Sequence, residues 1–264
     1  MLHEIVKLAH EAGRQIMEIY EADDSGVQRK ADGSPLTAAD LASHHAIVTG
    51  LQQLTPDLPV LSEESVAMDY DARRNWQRFW LVDPLDGTKE FIKRNGEFTV
   101  NIALIEQGRP VLGVVYAPAL GLSYFAEQGG GAFRQSGDAA PVAIKVLFHR
   151  APETLRMVGS RSHSDQRQDN LVAHLGGGEF QSMGSSLKLC LVADGSAHLY
   201  PRLGPTMEWD TAAAHAVVLE AGGRVCNRYG DELAYNKTDL HNPPFVVLAA
   251  ADNQLLERIK AWEW

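Results

Sequence analysis

The chain has 264 residues, of which 45% are hydrophobic, and a formal net charge of −10. A chain of this size and composition can bury a large core, so it predicts one large or two closely packed domains and excludes a disordered protein. The acidic charge excludes a nucleic-acid polymer as the expected partner, because binding to a phosphate backbone depends on clustered Lys and Arg.

Two amphipathic helices are predicted near the start of the chain. Apolar residues recur at three- and four-residue steps between Leu2 and Ile19, which is the helical period. A second helix is predicted after Pro35, with Thr37 as its N-cap residue and Asp40 three positions later. Its apolar stripe is expected to consist of Leu41, Val48, Leu51 and Leu54.

Short apolar runs then predict a series of strands. The runs 58–61 and 79–82 stop at acidic residues, so these strands would present carboxylates at their C-terminal ends. Three further runs, 99–105, 111–116 and 122–127, are joined by short connections that contain Gly or Pro. Such connections favour an antiparallel meander.

After residue 150 the pattern changes to an alternation of strand-like and helix-like segments, which predicts layered α/β packing. Strands are expected at 157–159, at 197–200 and near Arg224 and Phe245; helices are expected at 165–174, at 186–193 and after Asp210. The change predicts two structural halves, 1–149 and 150–264. The three glycines Gly176–Gly178 are predicted to form a loop in the second half.

The two cysteines, Cys190 and Cys226, lie in apolar stretches, so neither a disulfide framework nor a thiolate metal site is predicted. Two buried thiols fit a reducing cytosol. The longest apolar run, 245–251, is far too short to span a bilayer, and the first residues lack the apolar core of a signal peptide. A soluble cytoplasmic protein is expected, and peripheral attachment to the cytoplasmic face of the inner membrane remains open.

The segment 83–88 (DPLDGT) is the strongest indication of chemistry. Asp83 and Asp86 follow an apolar strand, and Pro84 fixes the backbone between them, so both carboxylates and the carbonyl of Leu85 can face one point. Oxygen ligands of this kind suit a hard cation such as Mg²⁺. The alternative interpretation is a plain surface turn, which an Asp-Pro-x-Asp-Gly string also favours.

The residues that follow predict a phosphate site. Gly87 allows the backbone to approach a ligand closely, and the amides of Gly87 and Thr88 would begin the next helix, where amide groups bind phosphate.

Other acidic residues could complete a metal site. Glu63 and Glu64 follow the strand-like run 58–61, although adjacent glutamates usually form a solvated rim. Asp210 is predicted at the N-cap of a helix, and capping alone would account for it. Asp40 likewise could be only the third-position acid of a capped helix.

Taken together, these segments resemble the inositol-monophosphatase superfamily. The resemblance is carried by three motifs in the superfamily's order and extends over essentially the whole chain: 61–65 (LSEES), 83–88 (DPLDGT) and 209–213 (WDTAA). It implies a layered αβαβα sandwich and a Mg²⁺-dependent phosphatase.

Within the superfamily, the segment 86–91 (DGTKEF) is similar to the bacterial 3′(2′),5′-bisphosphate nucleotidases of sulfate assimilation, whereas inositol phosphatases typically have Thr-Asn-Phe after the glycine and threonine. The stretches 60–65, 80–104 and 184–188 also resemble that branch. The resemblance implies hydrolysis of the 3′-phosphate of adenosine 3′,5′-bisphosphate to give AMP and phosphate.

The resemblance also implies a set of metal ligands. Glu63, Asp83 and the Leu85 carbonyl would hold a first Mg²⁺, and Asp83, Asp86 and Asp210 a second, so that Asp83 bridges them. A third, weaker Mg²⁺ near Glu63 and inhibition by Li⁺ are implied as well.

The same resemblance assigns roles to residues around the metals. Thr88 and Asp40 would form the catalytic pair, with Asp40 accepting the hydroxyl hydrogen of Thr88 and so orienting it towards the attacking water. No covalent phosphoenzyme is expected, because neither cysteine nor histidine accompanies the motifs. Substrate contacts are expected from Glu63, Gly87, Thr88, Lys89, Ser185, Ser186, Lys188, Arg202 and Asp210.

Several of these residues also have a structural interpretation. The polar residues of the second half, including the further candidates Arg161 and His163, could be ordinary exposed side chains. Lys89 and Glu90 could be first-turn charges of a helix, and His44-His45 is interpreted as a solvated helix edge.

Two alternative functions remain. One is another phosphatase of the superfamily, acting on inositol phosphate or a sugar phosphate. The other is a catalytically silent nucleotide sensor, which is disfavoured because all the expected metal and catalytic residues are present. The sequence leaves open a monomer or a homodimer.

Overall fold

The computed structural model describes residues 1–22, 28–29, 35–65, 68–150, 153–160 and 166–263. The first half contains α1 (Leu2–Glu21), β1 (Gln28–Arg29), β2 (Pro35–Leu36), α2 (Ala38–Leu54), β3 (Val60–Ser62), α3 (Tyr70–Arg73), β4 (Arg78–Asp86), α4 (Thr88–Ile92), β5 (Thr99–Glu106), β6 (Arg109–Ala117), a 3₁₀ turn (Pro118–Leu120), β7 (Leu122–Glu127), β8 (Gly131–Ser136) and β9 (Val142–Ile144). The second half contains β10 (Arg156–Ser160), α5 (Gln166–His174), β11 (Glu179–Met183), α6 (Leu187–Ala193), β12 (Leu199–Arg202), α7 (Glu208–Glu220), β13 (Gly223–Asn227), β14 (Phe245–Ala249) and α8 (Asn253–Lys260).

Both predicted N-terminal helices are present and pack against each other. Thr37 caps α2 in a capping box, in which Asp40 accepts the backbone N–H of Thr37. The predicted apolar stripe of α2 was wrong in part, because Leu41 and Leu54 are exposed. The buried face begins two residues earlier, at Ala39, and repeats every four residues through Ser43, Ile47 and Leu51. Its small residues were not recognised as a buried face because hydrophobicity alone defined the stripe.

The larger sheet has the strand order β3-β4-β5-β6-β7-β8-β9. Only β3 and β4 are parallel, so the predicted antiparallel meander of β5, β6 and β7 is confirmed. Side chains of β4 alternate between two buried clusters: Trp80 and Val82 pack with α1 and α2, whereas Phe79 and Leu81 pack with α6 and α7. Because both faces are covered, residues 79–82 of β4 form a continuous apolar run.

The second sheet has the order β11-β10-β12-β14-β13, in which β10 is parallel to both of its neighbours. One face of this sheet shares a core with α6, α7 and the first sheet. The other face packs against α5 and α8, through residues such as Leu171 and Leu255. The layers therefore follow the order αβαβα, as the sequence resemblance implied.

Helix α7 lies directly on the larger sheet at Gly113 of β6. A Cβ atom at this position would lie 2.1 Å from the carbonyl oxygen of Ala213 and 2.8 Å from the Cβ of Ala216. The helix backbone thus occupies the space that any other residue type would fill. This contact sets the distance between α7 and the strands beneath it.

The start of α7 differs from the prediction. The helix begins at Glu208, so Asp210 is its third residue and not its N-cap. The carboxylate of Asp210 accepts the backbone N–H of Met207 at 2.8 Å, which satisfies one of the N–H groups left unpaired at a helix start. Its side chain therefore acts as a cap from within the first turn.

The chain leaves the first sheet at Ile144 and enters the second at Arg156. The division into halves at residue 150 stays a prediction. Among the described helices, none combines the length and the apolar character that a membrane span requires.

Candidate active site

Asp83 and Asp86 lie three residues apart on β4, a spacing that would place them on opposite faces of a regular strand. The ladder with β5 pairs Asp83 with Asn101 and Asp86 with Thr99, so β4 contains one extra residue between the two pairs. This bulge brings both aspartates to the same face. The Leu85 N–H donates to the Asp83 carboxylate at 3.0 Å and holds the turn.

Asp210 completes a cluster with the two aspartates of β4. Carboxylate oxygens of Asp83, Asp86 and Asp210 all lie within 4.8 Å of one another. Glu63 joins from the end of β3: its backbone N–H donates to the Val82 carbonyl at 3.1 Å, and its side chain is hydrogen-bonded to Asp83. Two strands of one sheet and the first turn of α7 therefore converge on one point.

The electrostatics of this cluster are unfavourable without a cation. Burial, together with Glu63, Asp86 and Asp210, raises the pKa of Asp83 well above its ordinary value. Burial raises the pKa of Asp86 to about 6, against the opposing influence of Lys188 and of a hydrogen bond from the Ser186 backbone. The pKa of Asp210 is also raised well above its ordinary value, by burial and by Asp86.

A divalent cation would remove this repulsion. The donors are carboxylate oxygens, and Leu85, whose carbonyl the resemblance implies as a further ligand, lines the same cavity. Such oxygen ligands suit Mg²⁺, so the residues present fit the ion that the sequence analysis expected.

The expected catalytic pair is in contact. The Thr88 hydroxyl donates to Oδ1 of Asp40 at 3.3 Å, while Oδ2 of Asp40 accepts the N–H and the hydroxyl of Thr37 at 2.8 and 2.5 Å. The two interpretations of Asp40, as a helix cap and as a catalytic residue, are therefore compatible, because each carboxylate oxygen has its own partner.

Gly87 has the left-handed conformation that its proposed role requires, with φ at +92°. A Cβ atom there would lie 3.2 Å from the Glu97 carbonyl oxygen and 3.4 Å from the Cβ of Ser185. The backbone beside Thr88 therefore passes close to the loop that precedes α6.

The helix that follows this loop brings a buried cation, Lys188, to the site. The Gly184 N–H donates to the Glu97 carboxylate at 2.8 Å, and the Lys188 ammonium donates to the Ser185 carbonyl at 2.5 Å. Lys188 also lies over the ring of Tyr200, at 5.8 Å from the ring centroid. Burial lowers the pKa of Lys188 to about 8, although Asp86 opposes the shift.

A second cation, Arg202, comes from the end of β12. Its Nη2 donates to the Pro205 carbonyl at 2.8 Å, and its Nε is buried without a hydrogen-bond partner among the described residues. Arg202 is also near the hydroxyl of Tyr200 and favours its ionised form. Burial raises the pKa of that hydroxyl, so Tyr200 stays neutral.

These groups line one cavity of about 480 Å³. Of the residues expected from the sequence, those on its wall are Glu63, Asp83, Leu85, Asp86, Gly87, Thr88, Lys89, Ser185, Ser186, Lys188, Arg202 and Asp210. Asp40 lies behind Thr88 and is buried. Arg161 and His163 lie outside the described residues. His44 and His45 do not line the cavity; His45 is exposed, and His44 is hydrogen-bonded to Ser62 at 2.8 Å.

Ser160, Gly184 and Tyr200 also line the cavity, and they belong to the polar segments of the second half where phosphate contacts were expected. The structure adds cavity residues to which the sequence analysis assigned no role in the site: Glu90, Leu189, Pro205, Thr206, Met207, Thr211, His241 and Phe245. His241 could not have been found from the sequence, since its loop meets Met207 only through an isolated bridge in the folded chain.

Comparison with known proteins gives consistent similarities. The sequence profile of the inositol monophosphatase family matches residues 1–261. The chain is 52% identical to the 3′(2′),5′-bisphosphate nucleotidase CysQ of Salmonella typhimurium over 249 residues, which cover 94% of this chain and 99% of that protein.

Solved structures show the same relationship. CysQ from Bacteroides thetaiotaomicron, described as a bacterial member of the inositol monophosphatase family, superposes with a TM-score of 0.81 at 44% identity, covering 94% of this chain and 96% of that one. The extragenic suppressor protein suhB from Bartonella henselae superposes with a TM-score of 0.80 at 26% identity, covering 99% and 98%.

Proposed function

Because the chain belongs to the inositol monophosphatase family, we propose that it is a Mg²⁺-dependent 3′(2′),5′-bisphosphate nucleotidase that converts adenosine 3′,5′-bisphosphate to AMP and phosphate. One observation carries the proposal: the acidic cluster of Asp83, Asp86 and Asp210 shares a single cavity with the cations Lys188 and Arg202. A bisphosphate nucleotide has two anionic groups, and such a cavity offers a separate place for each.

The metal centre would be formed by the ligands that the resemblance implies. Glu63, Asp83 and the Leu85 carbonyl would hold one Mg²⁺, and Asp83, Asp86 and Asp210 a second, with a third and weaker ion near Glu63. When bound, Mg²⁺ polarises phosphoryl oxygens, lowers the pKa of water and stabilises a departing oxygen.

The chain's own groups would position the reactants. The Thr88 hydroxyl would direct its oxygen towards the attacking water, because Asp40 accepts its hydrogen at 3.3 Å and fixes its orientation. The amides of Gly87 and Thr88 would donate to the oxygens of the transferred phosphoryl group, where negative charge develops. Both cysteines are free and buried, so neither serves as a nucleophile exposed to substrate.

The other end of the cavity would bind the 5′-phosphate. Lys188, Arg202 and Ser185 are the proposed contacts, with Lys89 at the margin of the metal site. Charge-assisted hydrogen bonds to phosphate are about twice as strong as neutral ones, so these residues would contribute most of the discrimination between bisphosphate and monophosphate. Buried free thiols also agree with the proposed cytoplasmic location, and a monomer and a homodimer both fit the proposal.

The proposal is tested by comparing Mg²⁺-dependent phosphate release from adenosine 3′,5′-bisphosphate, its 5′-phosphosulfate form and inositol 1-phosphate. We expect kcat/KM to be highest for the first and activity to vanish after chelation. Preference for inositol 1-phosphate would instead indicate an inositol monophosphatase. Nucleotide binding without phosphate release would indicate a sensor.

A further inference from the structure

The adjacent residues Ser185 and Ser186 were both expected to contact substrate, but their hydroxyl groups differ in what they can still donate. The Ser186 hydroxyl donates to Oδ1 of Asn101 at 2.8 Å and lies 2.9 Å from Oγ1 of Thr99. A hydroxyl group has a single hydrogen, so Thr99 must be the donor in the second hydrogen bond. Ser186 is 2% exposed and has no hydrogen left for a phosphate.

Ser185 has the opposite properties. Its hydroxyl lacks a hydrogen-bond partner in the described part of the chain, although it is buried on the cavity wall. Its φ of +48° lies in the left-handed region, which is costly for a residue with a side chain. Of the two serines, only Ser185 therefore has a hydroxyl hydrogen that it can donate to a phosphate.

The partners of Ser186 occupy specific positions in the sheet. Thr99 is the cross-strand neighbour of Asp86, and Asn101 is the cross-strand neighbour of Asp83. Side chains of directly opposed residues lie on one face, with Cβ atoms about 4.5–5.5 Å apart. Ser186 is thus hydrogen-bonded to Thr99 and Asn101, which lie beside Asp86 and Asp83 of the acidic cluster.

The backbone of Ser186 makes a further connection, because it lies near enough to the carboxylate of Asp86 to oppose the rise that burial causes in the pKa of that group. Ser186 precedes the first residue of α6, and Lys188 is the second residue of that helix. One residue therefore connects the acidic cluster on β4 with the helix that carries the proposed 5′-phosphate contact.

We propose that Ser186, held by Thr99 and Asn101, is a positioning residue that fixes the distance between the metal site and the 5′-phosphate site. The substrate is bound by both of its phosphates, so this distance decides whether one nucleotide can reach both sites. The inference rests on the proposed function for its substrate. The coupling of Ser186 to Asp86, which is the structural part of the inference, does not depend on the proposed function.

The test compares Ser186→Ala with Ser185→Ala in the full-length protein. Ser186→Ala should raise the Mg²⁺ concentration for half-saturation, measured by calorimetry or by thermal shift without nucleotide, by about tenfold, or about 1.4 kcal/mol. It should also raise KM for adenosine 3′,5′-bisphosphate. Ser185→Ala should raise that KM and leave Mg²⁺ binding unchanged. Asn101→Ala should reproduce the Ser186→Ala effect, and Ser186→Thr, which keeps the hydroxyl, should restore Mg²⁺ binding.

Ser123→Ala is the matched control, since Ser123 is equally buried and its hydroxyl is hydrogen-bonded to His10 at 2.7 Å, away from the cavity lining. It should lower the melting temperature and leave Mg²⁺ binding unchanged. If Ser186→Ala behaves like this control, Ser186 has only a packing role and the inference is overturned. It is equally overturned if Ser186→Ala behaves like Ser185→Ala, because Ser186 would then be a direct contact. Since Mg²⁺ binding is measured without nucleotide, an inactive wild-type protein would contradict the proposed function and not this inference.

Discussion

The carboxylate of Asp40 accepts the Thr88 hydroxyl with one oxygen and caps α2 with the other. Catalysis and helix stability therefore depend on the same side chain, but through different atoms. Substitutions that remove one partner at a time can separate the two roles.

Thr88→Val removes the catalytic hydroxyl and keeps the shape of the side chain. We expect kcat to fall by about 10²–10⁴-fold, the usual contribution of positioned proton transfer, with little change in melting temperature. Asp40→Ala should lower kcat similarly and also cost about 1 kcal/mol of stability through the lost cap. A Thr88→Val enzyme with near wild-type kcat would exclude Thr88 from the reaction.

Asp83→Asn removes a buried negative charge that repels Glu63, Asp86 and Asp210. Activity should fall by roughly a thousandfold or more, because loss of metal-centred stabilisation corresponds to several kcal/mol. In chelator, however, the melting temperature should be equal to or higher than that of the wild type, since the repulsion is relieved. The stabilisation that Mg²⁺ gives the wild type should disappear. A large Mg²⁺-induced shift in the variant would contradict the assignment of Asp83 as a shared ligand.

Arg202→Ala should lower kcat/KM for the bisphosphate by roughly ten- to a hundredfold, the equivalent of one or two charge-assisted hydrogen bonds. Hydrolysis of a 3′-monophosphate should change little, because that substrate lacks the 5′-phosphate. Lys188→Ala should also lower activity on the bisphosphate more than on the monophosphate. The difference should be smaller, since Lys188 also influences Asp86 of the metal site. Equal losses on both substrates for Arg202→Ala would remove it from the 5′-phosphate site.

The burial of His215 predicts that part of the free energy of unfolding is lost in acid. Burial lowers its pKa to about 3, and its Nδ1 is hydrogen-bonded to the Tyr235 hydroxyl at 2.8 Å. Below pH 6.5 the unfolded chain binds a proton that the folded chain does not, so this contribution to stability is complete above pH 6.5 and declines as the pH falls towards 3. Between pH 7 and pH 5 the loss should be about 2 kcal/mol.

Denaturant unfolding in saturating Mg²⁺ measures this component. His215→Gln should reduce the loss of unfolding free energy between pH 7 and pH 5 by that amount, whatever its effect at pH 7. Exposed His3 provides the control, since His3→Gln should retain the wild-type pH dependence. An unchanged dependence in His215→Gln would show that His215 does not titrate between the two states.

The sequence allowed a good prediction of those parts of the fold that depend on local periodicity. Helix α1, the cap of α2 at Thr37 and the meander from Thr99 to Glu127 are such parts, because their patterns lie within single elements. The αβαβα order and the set of site residues came from motif resemblance and not from periodicity.

What could not be predicted depends on pairing between distant segments. The bulge that places Asp83 and Asp86 on one face follows from their register with β5, which the three-residue spacing does not indicate. The direction of the Ser186 hydroxyl likewise depends on Thr99 and Asn101. The sequence did contain one indication: Thr99 and Asn101 are polar residues two positions apart in the otherwise apolar strand β5. This spacing places both side chains on one face of the sheet and indicates a polar site there.

The metal site depends on Gly113, a residue without any reactive group, through the contact of this glycine with helix α7. Asp210 lies one turn before Ala213 on α7, and the Ala213 carbonyl occupies the place of a side chain at position 113. Even a methyl group at Gly113 would lift the helix and withdraw Asp210 from the strand aspartates. The property of position 113 on which the metal site depends is thus the spacing of helix and sheet, and not a reactive side chain.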